Sequence, residues 1–245
     1  MHSPCSHVVQ LYGDDALLLR QQVGQFIGEG LAAGEPALII AGPRNRDAFV
    51  CQLGEDGRDP ITAIRTGQLV LIDAATLLGQ MMVDGNLTWE GFDRSAGAAV
   101  RELRARTPAP RMRAYGEMVG ILWDAGRAAD AATLEDYWNR LLTDGDVSLF
   151  CGYPIDLMDP ALDTDALQPL IDAHTHLLSS GPAFDSALTR AITSLVGPGP
   201  DTPEGATPMP RAEALALWVR KAHPDRAAEV LACARQYQST QLRAG

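Results

Sequence analysis

The chain has 245 residues, a formal net charge of −11 and 46% hydrophobic residues, enough for one large α/β domain, or for one domain with a small appendage. Its basic residues are dispersed, so the acidic chain repels phosphate backbones and nucleic-acid binding by this chain is not expected. No apolar run is long enough to cross a bilayer, and Met1–Gln10 lacks the basic and apolar regions of a secretion signal, so the expected location is cytoplasmic, with no membrane partner.

In chain order, His7–Tyr12 reads as a short strand, and the turn Gly13-Asp14-Asp15 offers a carboxylate to cap the helix that follows to about Ala33. That helix carries Leu18, Val23, Phe26, Ile27 and Leu31 at helical spacing, and Gly34 stops it. Pro36–Ala41 and Gln68–Asp73 are unbroken apolar runs of the kind that form strands covered on both faces. Helices are expected at Asn45–Leu53, Ala74–Val83, Phe92–Arg106, Met118–Ala125, Asp130–Leu142 and Ala166–Leu178. Further strands are expected at Arg111–Gly116 and Val147–Tyr153. Five strands alternating with helices predict crossover connections and a mainly parallel sheet, with ligands beyond the carboxyl ends of the strands. Gly197–Pro210 holds five prolines and reads as a linker between a domain of residues 1–196 and a helical extension of residues 211–245. That extension is open to docking on the main domain, to homodimer pairing, or to contact with another partner.

The four cysteines, Cys5, Cys51, Cys151 and Cys233, form no CxxC pair, so reduced cysteines in or near a core are expected rather than a zinc site or disulfides. Of twenty basic residues, only Lys221 is a lysine.

The segment Phe26–Ile40, with its Gly30-Leu31 and Gly34-Glu35 pairs, resembles the helix-to-strand passage of RecA/KaiC-like ATPases. Further segments extend the resemblance in order: His7–Asp15, Gly67–Ala74, Met82–Gly85, Arg113–Val119 with Leu122-Trp123, Leu134–Asn139, Cys151–Pro154 and His174–His176. Together, over about residues 5 to 180, they resemble the MEDS family, the methanogen/methylotroph DcmR-type sensory domain. The resemblance implies an α/β fold, a RecA-like three-layer sandwich with a degenerate P-loop, here followed by the C-terminal helical extension. It also implies a sensory role in bacterial signalling or transcriptional control. Relatives of this kind occur beside histidine kinases or DNA-binding regions, and a small organic ligand is their presumed signal.

A working P-loop needs several free amides, a lysine on the β- and γ-phosphates and a Ser/Thr hydroxyl on Mg²⁺. Tyr12–Ala16 has one glycine, no lysine and no hydroxyl of that kind, and it puts two carboxylates where phosphates would lie. Such a juxtaposition is unfavourable by several kcal/mol at an effective dielectric of about 20. Lys221 lies beyond the proline-rich linker, and ATP hydrolysis is therefore not expected.

The candidate ligand-binding residues are His7, Tyr12, Asp14, Asp15, Tyr115, Glu117, Tyr153 and His174. Glu117 follows a strand near the place of a Walker B acid, and reads equally as a ligand carboxylate or as a carboxylate favoured by a helix dipole. One of Asp14 and Asp15 is expected to cap a helix. His7, at a strand edge, is expected to bond a neighbouring element. Tyr12, Tyr115 and Tyr153 fall at strand ends, where they either line a pocket or pack between helix and sheet, whereas Trp123 and Trp138 read as packing. His174 and His176 would share a metal on a strand but not on a helix; a helix is expected, so no metal is assigned, and pairing of a histidine with a core carboxylate is the alternative. No catalytic residue stands out, and no cofactor is named by any motif. The leading reading is a non-catalytic sensory domain that binds an unidentified small molecule and regulates a histidine kinase or other signalling partner. A nucleotide-binding RecA-like module without significant hydrolysis and a structural protein-interaction module are the rivals.

Overall fold

The computed structural model describes residues 6–13, 15–107, 109–144, 146–201 and 208–244. Six parallel strands make the central sheet: β1 (His7–Leu11), β2 (Ala37–Ala41), β3 (Leu69–Asp73), β6 (Met112–Gly116), β7 (Val147–Tyr153) and β8 (His176–Leu177), in the order β3-β2-β6-β7-β1-β8. A small antiparallel hairpin joins β4 (Met82–Val83) and β5 (Asn86–Leu87). The inner strands are buried along their length because helices cover both faces, which is why they read as continuous apolar runs.

Side-chain alternation divides the core in two. Val8, Ile39, Tyr115 and Phe150 face α1 (Ala16–Ala32), α2 (Pro43–Glu55) and α3 (Pro60–Thr66). Val9, Leu38, Ala114, Leu149 and Cys151 face the other layer. There lie α4 (Ala74–Met81), α5 (Trp89–Phe92), α6 (Ala98–Arg106), α7 (Met118–Asp124), α8 (Ala128–Leu141), α9 (Thr164–Asp172) and α10 (Pro182–Leu195). The result is a three-layer α/β sandwich. Beyond it, α11 (Arg211–Ala222) and α12 (Pro224–Ala244) lie against α10, and Leu215, Val219, Val230 and Leu231 join the same apolar cluster.

Asp15, Asp59, Asp73 and Asp163 each cap a helix by accepting backbone N–H bonds, which fixes where α1, α3, α4 and α9 begin. The helix expected from Phe92 starts earlier, at Trp89, and is interrupted by a π turn over Asp93–Gly97. At its start, a Cβ on Gly91 would lie 2.4 Å from the Met81 carbonyl oxygen, so only glycine permits the approach. The helix expected over Ala166–Leu178 is a correction: α9 ends at Asp172, and His176–Leu177 form the sixth strand, paired with Val8 and Val9. His174 therefore lies beyond the helix, and the helical geometry that argued against a metal at this histidine does not hold. Thr175 donates from its N–H (2.7 Å) and its hydroxyl (2.8 Å) to the His7 carbonyl, and these strand contacts outweigh the local helical pattern.

Candidate functional site

His7, Val9 and Leu11 share one face of β1, in register with Leu149, Cys151 and Tyr153 of β7. On that face His7 and Cys151 meet Glu135 from α8 and His174 from the turn after α9, all four buried. His7 Nε2 is 3.1 Å from Glu135 Oε2 and 3.3 Å from Cys151 Sγ. His174 Nε2 is 3.4 Å from Glu135 Oε1, and Cys151 Sγ is 3.8 Å from Glu135 Oε2. The two imidazoles stack at a tilt with centroids 4.1 Å apart, and the Tyr153 hydroxyl donates to Glu135 Oε1. Each ring is held from behind: His174 Nδ1 is 2.6 Å from the Leu170 carbonyl, and His7 Nδ1 is 2.8 Å from Asn139 Oδ1. Burial opposes ionisation of Glu135, yet the facing histidines hold its carboxyl well below the usual carboxylate range. Burial, and then the Glu135 charge, push the Cys151 thiol and the Tyr153 phenol up.

A second polar group lies at the carboxyl ends of β2 and β6. Glu117 stands at the N-cap position of α7 but does not cap that helix. Its carboxylate crosses to α2, accepting from Gly42 N and, at 2.7 Å, from Asn45 Nδ2. It also accepts from the Tyr115 hydroxyl at 3.3 Å. Glu117 thus supplies a negative charge to the N-terminus of a neighbouring helix, where the dipole favours it. Tyr12 lies in the same field: burial first, then the charges of Glu117 and Asp124, push its phenol up to about 12.

The chain leaves β1 towards α1 on one face and leaves β7 towards α9 on the other. Neighbouring parallel strands whose connections diverge in this way leave a crevice at their carboxyl ends. Here it is a cleft of about 480 Å³, walled by Tyr12, Asp15 and Leu18 on the β1 side and by Ile155 and Asp156 on the β7 side. The far wall is α12, through Arg235, Gln238 and Ser239. Arg235 pairs with Asp156, whose other oxygen accepts from Met158 N at 2.7 Å. Arg220 of α11 donates to the carbonyls of Leu157 (2.9 Å) and Asp159 (2.6 Å). Both C-terminal helices therefore grip the loop that follows β7.

The eight candidate residues do not form one site. His7, Tyr153 and His174 meet in the buried cluster, Tyr115 and Glu117 meet at the end of β6, and Tyr12 and Asp15 line the cleft. Tyr115 and Tyr153 lie on opposite faces of the sheet, so they do not share a pocket. Asp15 is a helix cap, accepting from Leu18 N at 3.0 Å, and Asp14 lies outside the described residues. Trp138 packs edge-on against Phe92 with centroids 5.0 Å apart. Sequence reasoning missed Glu135, Asn139 and Cys151. The available signal was an acid on an apolar stripe: Ala131, Leu134, Glu135 and Trp138 recur at i, i+3, i+4 and i+7, all buried.

A family model described as MEDS, MEthanogen/methylotroph, DcmR Sensory domain, matches residues 6–175. No curated protein matches the chain.

Proposed function

Because the chain belongs to the MEDS family of sensory domains, we propose that it senses a small organic molecule held in the cleft at the carboxyl ends of β1 and β7. The carrying observation is that this cleft sits where the connections of two adjacent strands diverge and is closed on its far side by α12. Apolar groups of Leu17 and Leu18 beside polar groups of Asp15, Asp156, Arg235 and Ser239 suit a compact ligand with both apolar and hydrogen-bonding groups. A ligand that competes for Asp156 or Arg235 favours the state in which α12 is released from the β7 loop. Signalling is then a population shift between gripped and released C-terminal helices, read by a histidine kinase or another regulatory partner.

The β1–turn–α1 passage has the strand–loop–helix order of a P-loop, and we read it as a degenerate, RecA-like version that does not hydrolyse ATP. Three of its described amides are already engaged: Tyr12 N donates to Tyr153 O (3.0 Å), Gly13 N to Ile155 O (3.2 Å) and Asp15 N to Tyr12 O (2.8 Å). A phosphate would have to displace these bonds and face the Asp15 carboxylate.

The test is native mass spectrometry and thermal shift of the full chain against short-chain alcohols, halogenated and carbonyl compounds, with Mg·ATP in parallel. A small organic compound is expected to raise Tm, and Ser239→Trp, an exposed substitution at the cleft wall, is expected to abolish that rise. Mg·ATP turnover by the pure chain, or binding unchanged in Ser239→Trp, would overturn the reading.

A further inference from the structure

We propose that His7, Glu135, Cys151 and His174 form a buried four-ligand site for a divalent transition-metal ion of the zinc class. Three independent features carry this. The first is spacing. The four donor atoms all lie within 4.8 Å of one another. With Glu135 Oε2 as the carboxylate donor, three of their separations are 3.1, 3.3 and 3.8 Å, and His174 Nε2 is 3.4 Å from the other carboxylate oxygen. A tetrahedral ion with bonds of about 2.0–2.3 Å to N, O and S ligands needs ligand–ligand edges of about 3.3–3.8 Å. The second is the direction of the lone pairs. The Leu170 carbonyl can only accept, so His174 Nδ1 carries the proton. Asn139 Nδ2 donates to the Ala173 carbonyl at 2.9 Å, which turns Asn139 Oδ1 towards His7 and assigns the proton to His7 Nδ1. In the neutral rings both Nε2 atoms are therefore lone pairs, and both face the Glu135 carboxylate. His174 Nε2 is buried and makes no hydrogen bond. Lone pairs facing an anion need a cation between them, either a metal ion or the protons of imidazolium rings, and the donor spacing and the Cys151 thiol favour the metal.

The third feature is charge. Binding an ion releases the Cys151 proton, and two neutral imidazoles, one carboxylate and the resulting thiolate sum to two negative charges, which a divalent ion cancels in a buried site. Among the described residues, no Arg or Lys pairs with Glu135 to do so. The outer contacts have the form expected around metal-bound histidine, whose second ring nitrogen donates to a carbonyl or side-chain oxygen and so fixes the ring. Tyr153 supplies a further hydrogen bond to the carboxylate. Mixed N, S and O donors in a four-ligand set favour zinc or cobalt over magnesium or calcium. Such an ion would join β1, β7, α8 and the turn before β8, on the face of the sheet that also carries the C-terminal helices. The site is separate from the ligand cleft and stands whether or not that cleft binds a small molecule.

The test uses the full chain, purified without chelators, with metal content measured by elemental mass spectrometry, and a second preparation expressed in Co²⁺-supplemented medium. One zinc per chain is expected in the first. In the second, a thiolate-to-cobalt charge-transfer band and the visible bands of tetrahedral cobalt are expected. Cys151→Ser should lose the charge-transfer band, and Asn139→Ala, which frees the His7 ring, should weaken affinity by about 10–100-fold. Cys51→Ser, at an exposed cysteine, should change neither the stoichiometry nor the spectrum. Wild-type chain that carries no metal and shows no cobalt–thiolate band would overturn the proposal and leave a histidine–carboxylate pair held by protons. A band that survives Cys151→Ser would overturn it equally. The wild-type measurement decides even where a variant fails to fold.

Discussion

Replacing Glu117 with alanine removes the one carboxylate that three donors share: Gly42 N, Asn45 Nδ2 and the Tyr115 hydroxyl. Losing the acceptor for the amide of Gly42, the N-cap residue of α2, resembles losing a cap, about 1 kcal/mol. The Tyr115 side chain is fully buried, so its stranded hydroxyl adds about 1–3 kcal/mol. Asn45 can turn to solvent and adds little, giving a total of about 2–4 kcal/mol. Glu117→Gln keeps one acceptor, and the phenol can accept from the new amide, so it should cost only about 1 kcal/mol. Urea unfolding followed by far-ultraviolet circular dichroism measures both. The stricter assay is the cycle with Tyr115→Phe: with the hydroxyl gone there is nothing to strand, so the double variant should be more stable than the summed singles by about 1–2 kcal/mol. A cost below about 0.5 kcal/mol for Glu117→Ala, or singles that add within about 0.3–0.5 kcal/mol, would refute the account.

Three further outcomes are expected. Burial raises the carboxyl of Glu213, and its Oε2 has no partner among the described residues. A raised folded pKa in an acid means stability is present at low pH and lost as pH rises through the folded value. Glu213→Gln should therefore raise Tm increasingly above the ordinary value of 4.5 and do nothing below it, as a Tm series across pH would show. Tyr12 moves from 10.0 to about 12, so its contribution is complete below pH 10 and falls away as pH rises towards 12; Tyr12→Phe should blunt alkaline unfolding and remove one late phenolate step from an ultraviolet titration. Leu231 of α12 is fully buried, so Leu231→Ala should cost about 2–5 kcal/mol in denaturant unfolding, whereas a tail that merely hangs from the domain would lose almost nothing.

Much of the framework was legible because it rests on local rules. The run Pro36–Ala41 announced a strand buried on both faces, Gln68–Asp73 announced a strand that forms the half-buried edge of the sheet, and Gly34 does follow the end of α1 at positive φ. The boundaries that failed were those set by distant partners. His176-Leu177 is too short to declare itself a strand, and it becomes one because β1 offers an open edge. Of the candidate site, His7, His174 and Tyr153 were named from position or motif, but Glu135 was passed over. An acid on a helix is ordinarily solvated, and only the packing of α8 on the sheet turns this one inward.

What the chain determined by itself is therefore what short-range physics dictates: layered α/β alternation, helix starts at capping aspartates, and a first turn without a lysine or a Ser/Thr hydroxyl. Tertiary structure alone decided which of the eight candidate residues meet, that Tyr115 and Tyr153 are separated by the sheet, and that Glu117 serves a helix other than its own. The reason is that strand order and the choice of face for each helix are long-range outcomes. They bring together His7 and Cys151, 144 positions apart, at a distance no periodicity in the sequence encodes.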